Sequence, residues 1–256
     1  MKNKVISLRK EKFKMNRDFM KSNFHQVLET DQQKGLPQPP LEKPYNQKEQ
    51  LIDLPMVDKS IISKDDIFKC ILDRKSYRNY LDEEITLEEL SYLLMMTQGI
   101  KEIKGNNYVG LRPVPSAGGR HPFETYLVVL NVNGLKKGIY RYLPLEHKLL
   151  FIKKDEALKE KIVEGANKQK FAGDAAVTFI WACIPYRTEW RYSDKTYKIA
   201  LLDAGHIGQA LYLACETIGL GTCAIAAYNQ GLIDYIIGVD GEDEFAVYIS
   251  PVGNVV

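Results

Sequence analysis

Arg74, Ser76 and Arg78 stand at i, i+2 and i+4 in the stretch DRKSYRNY, residues 73–80. Where the chain is extended or a helix is ending, that spacing lets two guanidiniums flank one hydroxyl. Such a group suits a dianionic phosphate, because arginine gives bidentate, charge-assisted hydrogen bonds and serine adds a neutral donor. The same three residues also read as an ordinary surface charge cluster. A second candidate is Pro115-Ser116-Ala117-Gly118-Gly119, where proline opposes helix and the glycines permit unusual dihedrals. It is either a loop that sets backbone amides against a flat polar ligand or a plain structural turn. Neither GxGxxG nor GxxxxGK occurs, so no dinucleotide crossover or P-loop is signalled. His25, His121, His147 and His206 are too dispersed for a metal site, and no Ser-His-acid order points to hydrolysis.

The element that must position these residues is Tyr197 to Ala227. Ile199, Leu202, Ile207, Ala210, Leu211, Ala214, Cys215 and Ile218 recur at three- and four-residue spacing, and Asp203 and Glu216 are the only acidic side chains. The pattern predicts a helix buried on most of its circumference. Gly205 and Gly208 leave room for another backbone, and Gly219-Leu220-Gly221 stops the helix before a short strand from Thr222. His206, inside this helix, reads either as a hydrogen-bonded helix residue or as a group at a ligand site or interface.

Around it the chain divides at about residue 60. Residues 1–60 form an N-terminal extension: a basic arm, Lys2 to Lys21, then a strap from Gly35 to Pro55 whose five prolines exclude regular helix. The arm reads as a solvated segment or a short docking helix. From Ser63 onward, Asp65 and Asp66 can cap a helix through Leu72, and Thr86 with Glu89 is a capping box for a second through Met95. Gly99–Gly110 reads as a polar loop. Strands are expected over Phe123–Val132, Gly138–Tyr142, Lys148–Ile152, Ala175–Ile184 and Glu244–Ser250, with an Asn133-Gly134 turn and helices from Asp155 and Asn229. Pro185–Tyr197 reads as a loop rich in arginine and aromatics. About five strands alternating with helices fit a single α+β or α/β layered domain.

A net charge of +2 is too balanced to argue for nucleic acid or an anionic membrane. Cys70, Cys183, Cys215 and Cys223 lie far apart in or near apolar runs, which suits reduced core thiols in a cytosolic protein. No window approaches the apolar length of a membrane span. The expectation is a cytoplasmic protein with neither nucleic acid nor membrane as partner.

Five ordered stretches together resemble the nitroreductase superfamily, and within it the SagB/ThcOx-type dehydrogenases. They are residues 73–80, RPVPSAGGRHPFETYLVV at 112–129, GIYRY at 138–142, RTEWRYSDKTYKIALLDAGHIGQALYLACETIGLGTCAI at 187–225, and PVG at 251–253. The resemblance implies an α+β, nitroreductase-like FMN-binding domain over 61–256, with a central mixed sheet flanked by helices. It also implies an intertwined homodimer with flavin at the interface. Arg74, Ser76 and Arg78 would lie at the FMN phosphate and ribityl chain. Pro115, Ser116, Ala117 and Gly118 would line the isoalloxazine ring, and Gly219, Leu220 and Gly221 would offer backbone contacts on its other side.

The subgroup implies oxidation of a peptide azoline, with hydride passing to flavin N5. The catalytic Lys-Tyr pair that follows a tryptophan in that subgroup is matched here by Arg191-Tyr192 after Trp190. Arginine is a poor proton acceptor, so Arg191 would stabilise an anion and not act as the base. A second departure is Gly253-Asn254-Val255-Val256, which supplies no cation, so Arg74 and Arg78 would carry the phosphate with help from Lys75 or Arg187. Three readings follow: an FMN-dependent dehydrogenase of a small-molecule or modified-peptide substrate, with room for peptide-modifying enzymes as partners; an NAD(P)H-dependent nitro or quinone reductase; and a non-catalytic flavin- or peptide-binding scaffold. The physiological substrate, the electron donor or acceptor and the role of residues 1–60 stay open at this stage.

Overall fold

The computed structural model describes residues 2–46, 48–105 and 108–256. The basic arm is a helix, α1 (Lys2–Phe19), whose side chains are exposed from Arg9 onward. The strap is extended, as its prolines require, and ends in a short strand, β1 (Leu51–Asp53). Asp66 then caps α2 (Ile67–Asp73) by accepting from the Phe68 and Lys69 amides, and the capping box at Thr86 opens α3 (Leu87–Gln98). The segment expected as a polar loop contains a hairpin, β2 (Glu102–Lys104) and β3 (Val109–Leu111).

The main sheet is built from β1, β4 (Phe123–Val129), β5 (Gly138–Leu143), β6 (Lys148–Lys153), β7 (Val177–Cys183), β8 (Leu220–Thr222) and β9 (Phe245–Asn254). Their spatial order is β1-β6-β5-β4-β7-β9-β8. The expected mixed sheet is corrected here: every pairing within it is antiparallel. A parallel bridge, Ile85 to Val132, lies beside it. Gly134, with φ +79°, turns the chain between β4 and β5 and not within the β5–β6 hairpin.

Both faces of the centre are covered, and the period-two alternation of strand side chains shows by what. Phe123, Leu127 and Val129 on β4 join Val177, Phe179 and Trp181 on β7 in a core capped by α3 and α7 (Thr196–Ile218). Tyr126, Val128, Ile180 and Ala182 face the other way, onto α4 (Leu158–Gly165) and α8 (Gln230–Ile237), with α5 (Phe171–Asp174) packed beside α4. Pro185–Tyr197 is not a loop: it forms α6 (Tyr186–Tyr192) and a short 3-10 turn leading into α7.

α7 ends as its sequence predicts, on Gly219 in the left-handed conformation at φ +75°. Its burial differs from the expectation. Leu201, Leu202, Gly205, His206 and Gln209 form an exposed face, with Leu202 57% accessible. A side chain on Gly205 would meet nothing within 4 Å, whereas one on Gly208 would strike the Tyr248 ring at 2.7 Å. Gly208 therefore admits a ring of its own sheet and not a second backbone. On α2 an apolar face is also outside: Ile67, Phe68, Ile71 and Leu72 are exposed, Phe68 at 67%.

Candidate functional site

α7 carries an anchor for each of the two sequence candidates. Tyr212, in its C-terminal half, exchanges a 2.9 Å hydrogen bond with the Ser76 hydroxyl and accepts one from the Ala224 amide. The Arg74 guanidinium lies 5.2 Å from the centre of the Tyr212 ring. Tyr77 donates its amide to the Thr222 carbonyl, fastening the segment to β8. Gly221 has to be glycine here, because a Cβ would come within 2.8 Å of the Tyr77 ring. Lys75 folds back over that same ring at 4.7 Å. Arg74, Ser76, Arg78 and β8 thus lie in one cluster. Asp73 is taken by Lys64, and among the described residues neither Arg74 nor Arg78 has a carboxylate partner. Two free guanidiniums beside two hydroxyls fit a phosphate dianion.

The second candidate is held by Asp203, a residue that sequence reading noted only as an acid on an apolar helix. Its carboxylate accepts from the Ser116 hydroxyl at 2.5 Å and the Ala117 amide at 3.3 Å. Burial pushes the Asp203 carboxyl up, against the pull of those two hydrogen bonds. Ser116 in turn accepts from the His121 amide, so Pro115–Gly118 is a fixed loop. Gly118 sits at φ +59°, and a Cβ there would lie 2.7 Å from the Tyr192 hydroxyl and 3.0 Å from the Arg191 side chain. The loop and the Arg191-Tyr192 pair are therefore in contact across a space that only glycine allows.

α6 presents that pair, and the N-terminal extension fixes α6. Gln32 donates its amide to the Trp190 carbonyl at 2.8 Å, and the Trp190 indole donates to the Leu36 carbonyl at 2.9 Å. Phe24 meets Tyr192 edge-on. Tyr108, from the β2–β3 hairpin, accepts from Arg191 Nη1 at 3.0 Å and from Gln32 Nε2 at 2.9 Å. Arg120 stacks on both Tyr108 and Trp190 and donates to the carbonyls of Gly118 and Tyr108. Sequence reading missed Tyr108, Arg120 and Tyr212, each of which acts across a long stretch of chain.

Arg187, considered for a phosphate, is buried and committed elsewhere. It donates to Glu124 at 2.5 Å, with the Lys43 amide on the same carboxylate and Arg141 3.9 Å from it. Burial alone would raise the Glu124 carboxyl, but Arg187, Arg141 and the hydrogen bonds outweigh it and hold it below the usual carboxylate range. Nearby, burial pushes the His121 imidazole down to about 3, with Arg112 and Arg120 adding to the effect, so it is neutral. His206 is exposed on α7.

Glu42 of the strap behaves oppositely to Glu124. Burial raises its carboxyl from 4.5 to about 7, although the Leu145 amide that it accepts from pulls the other way. The folded state therefore keeps this proton after the unfolded chain has lost it, so stability declines as pH rises from 4.5 to about 7 and is level above. Glu42→Gln keeps an acceptor for Leu145 without the charge. Urea unfolding at about pH 5 and about pH 8 is expected to show the variant gaining on the wild type by roughly 1–2 kcal/mol at the higher pH. An equal difference at both pH values would contradict the assignment.

The two clusters do not meet within one chain. Asp203 and Tyr212 are nine residues apart, about 13 Å along the helix and roughly half a turn around it. No hydrogen bond or ring contact among the described residues joins one cluster to the other.

Comparison with known proteins gives this arrangement its class. Residues 71–254 match the Nitroreductase family. A nitroreductase-family protein of Methanocaldococcus jannaschii is 32% identical over 183 residues, covering 72% of this chain and 88% of that one. The chain belongs to the nitroreductase family. It is also 26% identical to the trifolitoxin-processing protein TfxB of Rhizobium leguminosarum bv. trifolii and 25% identical to the microcin B17-processing protein McbC of Escherichia coli, over half of this chain each. It spans 36% of TfxB and 49% of McbC.

Among solved structures, a nitroreductase-family chain from Anabaena variabilis superposes with a TM-score of 0.68 at 25% identity, over 81% of this chain and 42% of that one. A chain of the E. coli microcin synthetase McbBCD complex with truncated pro-MccB17 superposes with a TM-score of 0.60 over 84% of this chain and 78% of its own length. At 18% identity that likeness concerns the fold. No described helix is long and apolar enough to cross a membrane.

Proposed function

We propose that the chain is an FMN-dependent dehydrogenase of the SagB/ThcOx type that oxidises an azoline in a modified peptide. The observation that carries the reading is the contact of Arg191 and Tyr192 with Gly118, on a loop fastened to α7 by Asp203. The resemblance to TfxB and McbC supports a peptide substrate.

When bound, FMN supplies a two-electron acceptor whose N5 takes a hydride. Arg74 and Arg78 would hold its phosphate with Ser76, and Lys75 lies on the same segment. Gly219, Leu220 and Gly221 lie beside that cluster through β8, and Pro115, Ser116, Ala117 and Gly118 would supply the surface for its ring from the other cluster. Aromatising an azoline also releases a proton, and the half-buried Tyr192 hydroxyl is placed to relay it to solvent, passing on its own proton as it takes up the substrate's. Arg191, tethered to Tyr108, holds a fixed positive charge beside the reacting ring and takes no proton. Asp203 keeps the Ser116 loop rigid, so the ring-facing surface is set before substrate arrives.

A homodimer completes the site in this reading. The two clusters lie on opposite sides of α7, and the apolar faces of α2 and α7 are exposed between and beside them. A second copy that covers those faces can bring the phosphate cluster of one chain toward the ring loop of its partner.

The departure at Arg191 favours a second reading, an NAD(P)H-dependent reductase, since a nitro or quinone substrate needs no basic lysine. The test is an anaerobic preparation titrated in separate cuvettes with NADH, NADPH and a thiazoline peptide, followed by the flavin absorbance. Bleaching by the peptide alone is expected. Rapid bleaching by NAD(P)H would shift the assignment to the reductase, and a protein that neither retains nor takes up flavin would remove both.

A further inference from the structure

We infer that Arg120 is a positioning residue for the proposed oxidation: it acts through Arg191 and Tyr192, fixing how far that pair stands from the Gly118 loop. This deepens the proposed function and rests on the role given there to Tyr192. Arg120 follows the ring loop directly and is 3% exposed. Its Nε donates to the Gly118 carbonyl at 3.2 Å and its Nη2 to the Tyr108 carbonyl at 2.9 Å. The guanidinium lies 4.9 Å from the centre of the Tyr108 ring and 5.4 Å from that of Trp190, and the two rings meet edge-on. One side chain thus ties together the ring loop, the β2–β3 hairpin and α6. These are the elements that place the pair, since Tyr108 accepts from Arg191 and Trp190 precedes it in α6.

Charge and burial argue against a role confined to stability. Arg141 and Arg187 are as deeply buried but share the carboxylate of Glu124. Arg120 has no carboxylate partner among the described residues, and burial pushes its guanidinium down, with Arg191 adding to the effect. Burying a cation without a counter-charge is destabilising, so filling space is not what arginine contributes here. It contributes geometry: a rigid planar fork that donates to two carbonyls while its faces lie against rings. The ring loop is therefore held from two sides. Asp203 fixes Ser116 and Ala117 to α7, and Arg120 fixes Gly118 to α6. The second tie sets the gap at Tyr192, whose hydroxyl stands 2.7 Å from where a Gly118 side chain would begin. Arg120 itself offers almost no surface to a substrate, so its influence on the reaction passes through the pair.

The test uses the full-length flavoprotein with Arg120→Lys and Tyr192→Phe, singly and together, and anaerobic stopped-flow bleaching by a thiazoline peptide. Lysine keeps the charge but cannot bridge two carbonyls with a flat group between the rings. At saturating peptide, Arg120→Lys is expected to bleach about a hundredfold more slowly, the range for a displacement of about 1 Å. The flavin spectrum and the peptide concentration for half-maximal rate should stay as in wild type. In the Tyr192→Phe background the same substitution is expected to cost at most about tenfold, the share that falls to Arg191. An equal loss in both backgrounds, or an Arg120→Lys protein of undiminished rate, overturns the proposal. Arg120→Met, which keeps the stem and removes the unpaired charge, repeats the measurement should the lysine variant not fold. A crystal structure of the variant gives a readout without substrate: the Tyr192 hydroxyl is expected to move by about 1 Å or more relative to Ser116, with the Ser116–Asp203 bond intact. An unmoved Tyr192 also overturns the proposal. If Tyr192 moves as expected but the thiazoline does not bleach the wild-type protein, the positioning role stands and the azoline assignment falls.

Discussion

Arg74→Glu protein is expected to purify colourless and to bind added FMN at least about a thousandfold more weakly than wild type. The substitution removes a charge-assisted, bidentate donor pair and places a carboxylate against a phosphate dianion, an effect on the order of 4 kcal/mol. Two features make the expected loss so large. Among the described residues, Arg74 has no carboxylate partner to inherit the deficit, and the C-terminal residues 253–256 contain no cation that could substitute. The stack of Arg74 on Tyr212 is also lost, but Tyr212 keeps its bonds to Ser76 and Ala224, so the fold is expected to survive. Isothermal titration of flavin-stripped protein measures the effect directly, with circular dichroism as the check on folding. Retention of FMN within tenfold of wild type would place the phosphate somewhere other than this cluster.

Tyr192→Phe is expected to lower turnover of a thiazoline peptide by about a hundredfold or more, the range for loss of a positioned proton-transfer group. FMN content should not change. The phenyl ring retains its edge contact with Phe24, and only the hydroxyl that lies against Gly118 disappears. That makes the substitution decisive between two roles: if Tyr192 merely packs, the phenylalanine enzyme keeps its rate. Stopped-flow bleaching under anaerobic conditions isolates the step from flavin reoxidation. A phenylalanine enzyme that bleaches as fast as wild type would return Tyr192 to the list of packing residues.

Features encoded within a few residues of one another were legible in the sequence. The Thr86–Glu89 capping box, the Asn229 cap on Leu232, the glycine stop after Ile218 and the period of α7 all have local causes, and all are present. Arg74, Ser76 and β8 come together through Tyr77 and Tyr212. What escaped depends on distant partners. α6 begins after a proline and carries few regularly spaced apolar residues, so its sequence resembles a loop. Its register is set by Arg187 on Glu124 and by Trp190 on Leu36, contacts 63 and 154 residues apart. Asp203 reaches Ser116 across 87 residues, which no local pattern can announce. β9 continues through Pro251 and Gly253 because β7 and β8 pair with it on both sides, a tertiary override of two residues that ordinarily end strands.

The antiparallel pairing of β1 with β6 and the reach of Lys43 to Glu244 also order events in time. Leu51 must find Leu150, and Lys43 a carboxylate 201 residues further along. At a synthesis rate of about 5–20 residues per second, the strap leaves the ribosome roughly 10–40 s before that carboxylate exists. Its earlier partners, the Tyr108 carbonyl, Glu124 and β6, emerge within this interval, so the strap can be laid down in part before its last tie to Glu244 is available. Through Leu36 the strap holds Trp190, so completing the Arg191-Tyr192 face depends on a segment made 154 residues before Trp190.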